Sequence, residues 1–526
     1  MHLPYILTLL GLSSRALAGV TVQKPGLKVP AKYASNRAAA QKIFTDSYTA
    51  YKKFAFGHDE LLPVSNSFTD DLGGWGASLV DAMGTMLVMG LDDLFTEALN
   101  FTSQTDFSTP PEPGLVSVFE TTIRFVGGML SAYELSGQQH SVLVDKAKQV
   151  ADKLAFAWVD DNTIPYGHID FPSNTPNIAV TNIAEAGTLS LEWTLLSQFT
   201  GNATYGKLVT ESVLQILGLA TPLPGLAPQN VDPATGEFVG QYLTWGGGSD
   251  SYFEYLLKFA RFTNTNNTIF IDTWKTAVDS SIRHLLETST VGDHFYLADN
   301  NGGENIHVGS HLACFFPGNW LLGGKLLQNQ TIIDFALKLN DGCWNTYAST
   351  QTGIGPEGFA YISPDGNFTD GGSISADQLA FNKKHGFYIT SSDYIQRPEV
   401  LESNFHAWRI TGDTKYLDRA AAAIKSFNTF LRVNNAYASL NDVDNTGAGR
   451  IDITESFWFA EVLKYLYLTF DDPSHISLDD YVLNTECHPL RAPPALASYG
   501  SGSFTPAQKP FTAHTASGPL PAISPI

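Results

Sequence analysis

The chain has 526 residues, 43% of them hydrophobic and 12% aromatic, a mean hydropathy of -0.06 and a formal net charge of -21. An exterior this acidic repels phosphate backbones and excludes nucleic acid as a partner. No stretch is long and uncharged enough to span a bilayer, and the acidity suits both a solvated surface and a divalent cation held among carboxylates.

Taken in chain order, the first feature is a secretory signal. Leu3 to Leu12 is a short apolar run, and Ala16-Leu17-Ala18 forms an A-x-A site cut before Gly19. Residues 1–18 are therefore a signal peptide, and the protein is expected in the secretory pathway, secreted, with vacuole and periplasm as the other destinations. Sequons at Asn100, Asn202, Asn266, Asn329 and Asn367 agree with that route. Residues 19–35 read as an N-terminal extension.

From there one rhythm recurs: a Gly- or Pro-marked turn, then an apolar, aromatic-rich run with helical periodicity. It appears at GGWGASLVDAMGTMLVMGL from Gly73, VFETTIRFVGGMLSAYEL from Val118 and NIAEAGTLSLEWTLLSQF from Asn182. It returns at GGGSDSYFEYLLKFARF from Gly246, HLACFFPGNWLLGGKLL from His311, YIQRPEVLESNFHAWRI from Tyr394 and ITESFWFAEVLKYLYLTF from Ile453. The interval, roughly 45 to 85 residues, suits helix-pair repeats. Between these runs lie polar amphipathic stretches such as HSVLVDKAKQVADKLAFAWV. Apolar helices alternating with amphipathic ones imply an inner and an outer ring. The expected fold is all-α, an (αα)7 barrel of seven inner/outer helix pairs over residues 36–491, followed by a disordered Pro/Ala/Ser-rich tail, 492–526.

Acids cluster at the starts of the apolar runs: Glu120, Glu185, Glu192, Asp250, Glu254, Glu399, Glu402, Glu455 and Glu461. Buried carboxylates are costly unless paired, hydrogen-bonded or metal-bound. In a ring of inner helices these starts open toward one end, so the acids should converge there. Taken singly, each acid could merely complement a helix dipole; the set is harder to explain that way. Three cysteines, Cys314, Cys343 and Cys487, imply one bridge and one leftover thiol, and spacing leaves all three pairings open.

The motifs GGWGASLVDA, SVFETTIRFVGGML, GTLSLEW, GGGSDSYFEYLLK, GIGPEGF, RPEVLES and NTECHP, in that order, resemble glycoside hydrolase family 47, the class I α-1,2-mannosidases, and most closely the secreted fungal members. The resemblance implies a calcium-dependent, inverting exo-α-1,2-mannosidase that trims high-mannose N-glycans, Man9 toward Man5, as a monomer. Inverting glycosidases hold two carboxyls roughly 6.5–9.5 Å apart around a water. By motif, Glu120 matches the general acid, Glu399 the general base and Asp250 the third essential carboxylate. Thr485 matches the residue whose carbonyl and hydroxyl bind Ca²⁺. Glu192, Glu254, Glu357, Glu402, Glu461 and Glu486 match the acids around metal and sugar, and Arg124 and Arg397 the cations that orient them. The family's disulfide pair matches Cys314 and Cys343. Gly248 stands where endoplasmic-reticulum members carry an arginine, which implies a roomier cavity. CFFPGNW departs from the family's glycine pair after CF, and Cys487 replaces a small residue beside Thr485. A mannose-binding lectin-like relative with little turnover, and another inverting (α/α)-barrel glycosidase, are the competing readings.

Overall fold

The computed structural model describes residues 19–159, 161–502, 510–516, 518 and 520–521. The expected signal peptide lies outside the described residues. Among them no helix is long and apolar enough to cross a membrane.

Seven apolar helices form the inner ring, built on Ala77–Met89, Gly127–Leu135, Ser190–Thr200, Asp250–Thr263, Phe316–Leu326, Glu399–Thr411 and Leu463–Phe470. Each packs against the next, and the last returns to the first. These are the seven runs expected from sequence. Ala77–Met89 is buried on nearly every side, as an inner stave requires. The outer ring comprises Ala34–Phe54, Asp92–Gln104, Val142–Leu154, Thr204–Gly218, Ile269–His284, Gln330–Ala348 and Lys415–Phe430. Val142–Leu154 buries Leu143, Val144, Ala147, Val150, Ala151 and Leu154, a stripe at helical spacing, and turns its charged residues outward. The (αα)7 barrel is thus a consequence of two kinds of helix in alternation. Trp75, Trp193, Trp274, Trp320, Trp408 and Trp458 are fully buried, so these tryptophans fill the core rather than line a sugar cleft.

The two ends of the barrel differ. Inner helices pass to outer ones through short turns, several closed by a left-handed residue such as Gly90, Gly201, Asn264 or Gly412. Outer helices return to inner ones through long connections that carry short antiparallel hairpins. The inner helix starts, with their acids, face this hairpin end. In the first connection, buried Asp59 accepts backbone N–H groups from Leu72, Gly74, Gly76 and Ala77. Gly73, Gly74 and Gly76 all have positive φ, which explains the GGWG run.

A last hairpin, Tyr481–Leu483 with Pro489–Arg491, follows the final inner helix and fills the barrel axis. Ser131 donates to the Pro489 carbonyl and Lys464 to the Cys487 carbonyl, so inner helices grip it from several sides. The CFFPGNW departure leaves its helix intact: Pro317 sits in the first turn, where its missing N–H costs nothing. The Asp365–Lys384 segment holds a short helix, Ala376–His385, with a Ser375/Gln378 capping box. The described residues of the segment expected to be a disordered tail touch the barrel. Tyr499 donates to Asn264, and the Gly240 N–H donates to the His514 carbonyl.

Candidate active site

The hairpin end opens into a cavity of about 710 Å³, the size of a small-molecule or oligosaccharide site. Glu120, Arg124, Asp250, Glu254, Arg397, Glu399, Glu402, Glu461, Thr485 and Glu486 all line it. Two predicted residues do not. Glu192 is fully buried behind the floor, and Glu357 lies behind the wall, where it pairs with Arg397.

On one wall, Arg124 bonds Glu120 at 2.8–2.9 Å and reaches Glu486 at 3.2 Å and buried Asp81 at 3.8 Å. Burial works against the guanidinium, yet Glu486, Glu120 and Asp81 hold it charged. Glu120 and Arg124 flank or occupy a π-helical turn, Thr121–Val126, and Glu461 sits in a second one, Trp458–Val462. Such turns re-aim side chains and recur at functional sites.

On the facing wall, His311 Nδ1 lies 2.8 Å from Glu399 Oε2, and its Nε2 lies 2.7 Å from the Tyr347 hydroxyl. Arg397 stands 3.9 Å from Glu399 and 2.5 Å from Glu357. Burial opposes the charge of Glu399, but the His311 hydrogen bond and the Arg397 charge hold it below the usual carboxylate range. Asp250 behaves in the opposite way. Burial pushes it up to about 7, against a hydrogen bond from the Ser251 N–H and together with the charges of Glu254 and Glu399.

The floor is the tip of the axial hairpin. Asn484 fixes it: its Oδ1 accepts from the Glu486 and His488 N–H groups, and its Nδ2 donates to Glu192 at 2.8 Å. The Thr485 N–H donates to Tyr255. Thr485 lines the cavity, and no hydrogen bond among the described residues reaches its carbonyl or hydroxyl. Around them the acids are short of partners. Glu192 Oε2 and Glu486 Oε2 are buried without a hydrogen bond. Burial pushes Glu192 up to about 7 and, with the charge of Glu254, Glu402 up to about 8. Burial and the neighbouring Glu486 and Glu399 push Glu461 well up. Lys258 bonds Glu254 and Arg124 reaches Glu486, while Glu192, Glu402 and Glu461 have no ion-pair partner among the described residues.

That donor set, oxygen only and rich in carboxylates, fits a hard cation such as Ca²⁺. The floor acids do not crowd to direct-ligation distance of one another. Among the described residues only Glu287, His307 and Asp365 bring three ligand atoms within 4.8 Å, and they stand outside this cavity. Widely spaced carboxylates suit an ion bound by Thr485 and surrounded by water.

Cys314 and Cys343 are joined, linking the start of an inner helix to its outer partner, and Cys487 is a buried free thiol, pushed up to about 12 by burial. Cys487 takes a left-handed φ of 56° and continues the tip without breaking it. Sequence reasoning missed His311, Asp81, Lys258, Lys464 and Tyr255. The partners of His311, Asp81, Tyr255 and Lys464 lie far off in the chain, and the Lys258–Glu254 pair, four apart on one helix, reads like an ordinary surface pair until its burial is seen.

A closed ring of helix pairs with opposed carboxylates over an acidic floor defines a carbohydrate-active (α/α) barrel. The chain belongs to glycosyl hydrolase family 47, whose description matches residues 43–492. It is 40% identical over 519 residues to the "Probable mannosyl-oligosaccharide alpha-1,2-mannosidase 1B" of Aspergillus clavatus, covering 93% of this chain and 99% of that one. It is 38% identical over 521 residues to the mannosyl-oligosaccharide alpha-1,2-mannosidase 1B of Aspergillus phoenicis, with the same coverage. The solved alpha-1,2-mannosidase from Trichoderma reesei superposes with a TM-score of 0.84 at 37% identity, covering 87% of this chain and 99% of that chain.

Proposed function

We propose that the protein is a mannosyl-oligosaccharide α-1,2-mannosidase of the secretory pathway, inverting and calcium-dependent, that trims high-mannose glycans from Man9 toward Man5. The observation that carries this is the meeting of Glu120, Asp250, Glu399 and Thr485 in one sugar-sized cavity. Similarity to the fungal mannosidases supplies the substrate class.

Glu399 is the base. His311 and Arg397 keep it ionised, so it accepts a proton from the attacking water. Glu120 takes the acid's position, beside Arg124. Asp250, buried in the same cavity, keeps a proton up to about pH 7. Asp250 is therefore the proton store of the cavity. Thr485 would hold the calcium through its carbonyl and hydroxyl, with Glu192, Glu402, Glu461 and Glu486 around it. When bound, calcium supplies a hard anchor for sugar hydroxyls and water. Gly248, at the cavity edge with a φ of 79°, leaves room for an oligosaccharide.

The test is digestion of Man9 glycan with calcium and after complete chelation, with linkage and anomer of the product read by NMR. Release of β-mannose from α-1,2 linkages, lost on chelation, is expected. Persistent Man9 would favour the lectin-like reading, and activity surviving chelation would favour a calcium-independent barrel glycosidase.

A further inference from the structure

A second cavity, of about 400 Å³, lies beside the catalytic one. Gly247, Leu312 and Asp393 line both, so the two share a wall. The wall is thin because Gly246 to Gly248 carry no side chains. Its other face is the turn that delivers Asp250 to the active site.

The chemistry of this second cavity is specific. Half-buried Phe295 gives it an aromatic surface, with the edges of the buried Trp245, Tyr296 and Phe359 behind. Its charged residues are all acids: Asp299, Glu357 and Asp393. No Lys, Arg or His lines it, which rules out a phosphate or carboxylate ligand. Asp299 accepts a hydrogen bond from the Tyr242 hydroxyl at 2.7 Å and so is held in place. An aromatic surface that meets C–H groups, with fixed acceptors for hydroxyl groups, matches a neutral pyranose. None of the acids proposed for catalysis reaches this space, so it does not serve bond cleavage directly.

We infer that this cavity is a docking site for a second arm of the same branched mannosyl-oligosaccharide whose other arm enters the catalytic cavity. The inference rests on the function proposed above and deepens it. A branched substrate carries two sugar chains from one branch point, and here two cavities adjoin across a glycine wall. Occupation would also reach the chemistry. Glu357 borders the second cavity, pairs with Arg397 and thereby adjoins Glu399. A linear disaccharide is too short to use the site.

Two variants test it: Val308→Trp, which fills the space, and Asp299→Ala, which removes an acceptor. Neither residue belongs to the catalytic cavity. Each is assayed on Man9 glycan and on α-1,2-mannobiose. The expected result is a loss of about tenfold in kcat/KM on Man9, the worth of one good contact, with mannobiose hydrolysis unchanged. Equal loss on both substrates, or no loss on either, in both variants would overturn the docking site. If the unaltered protein cleaves neither substrate, it is the proposed function that fails instead.

Discussion

The wall and the floor of the catalytic cavity are built from the same residue type and behave differently. At the wall, Glu399 and Glu357 share Arg397, and His311 adds a hydrogen bond, so the carboxylates are compensated and Glu399 stays ionised. At the floor, Glu192, Glu402, Glu461 and Glu486 share one buried region, only Glu486 among them is ion-paired at 3.2 Å, and burial raises all four. A protein keeps charge in such a state when something absent from the chain completes it. The wall is finished by the polypeptide; in the function proposed here the floor is completed by a cation. The same contrast separates the chemical carboxylates, since Glu399 is held down while Asp250 is pushed up.

The contrast can be broken most sharply at the carboxylates proposed to do chemistry. Glu120→Gln, Asp250→Asn and Glu399→Gln should each lower kcat by roughly 10²–10⁴-fold, as general acid–base groups do. A variant that keeps its rate leaves the catalytic set. Next in size, Glu357→Gln at the wall breaks a buried pair and should destabilise the fold by about 3 kcal/mol in urea titrations. Melting that matches the unaltered protein would show the wall is not held by that pair.

The pH profile should follow the pair of shifts. Glu399 lies below its ordinary value, so the base stays ionised through mild acid. Asp250 must keep its proton, which it loses near pH 7, so kcat/KM should fall about tenfold per pH unit above that point. The residual activity of Asp250→Asn should lack this alkaline limb.

The smallest effect should have the opposite sign. Glu461 has a folded pKa raised above the unfolded value. Its cost is absent below about pH 4.5 and grows as pH rises toward the folded value. In chelated protein Glu461→Gln should therefore raise the melting temperature at pH 7 and not at pH 4. In the same variant calcium affinity should drop by roughly 10–100-fold, the usual effect of losing an outer partner of a metal site. A lower melting temperature at pH 7 would mean the floor is already compensated.

Much of this was legible in the sequence because inner helices announce themselves. A stave buried all round, such as Ala77–Met89, reads as an unbroken apolar run. The hairpins did not, because strands as short as Val116–Ser117 or Ser439–Leu440 are too brief to show alternation. Glu120, Asp250 and Glu399 were placed by motif, and the structure brings them to one cavity. His311 was invisible because it meets Glu399 across 88 residues of chain. Glu192 and Glu357 look like cavity acids in sequence, yet each sits one layer behind. That depth depends on which neighbours, Asn484 and Arg397, come in front of them.

The most direct measurement is a crystal grown with Ca²⁺ and read for anomalous scattering. A cation touching the carbonyl and hydroxyl of Thr485, between the walls of Glu120 and Glu399, is the predicted result. A cation seen only at Glu287, His307 and Asp365, or no cation at Thr485, would contradict the account.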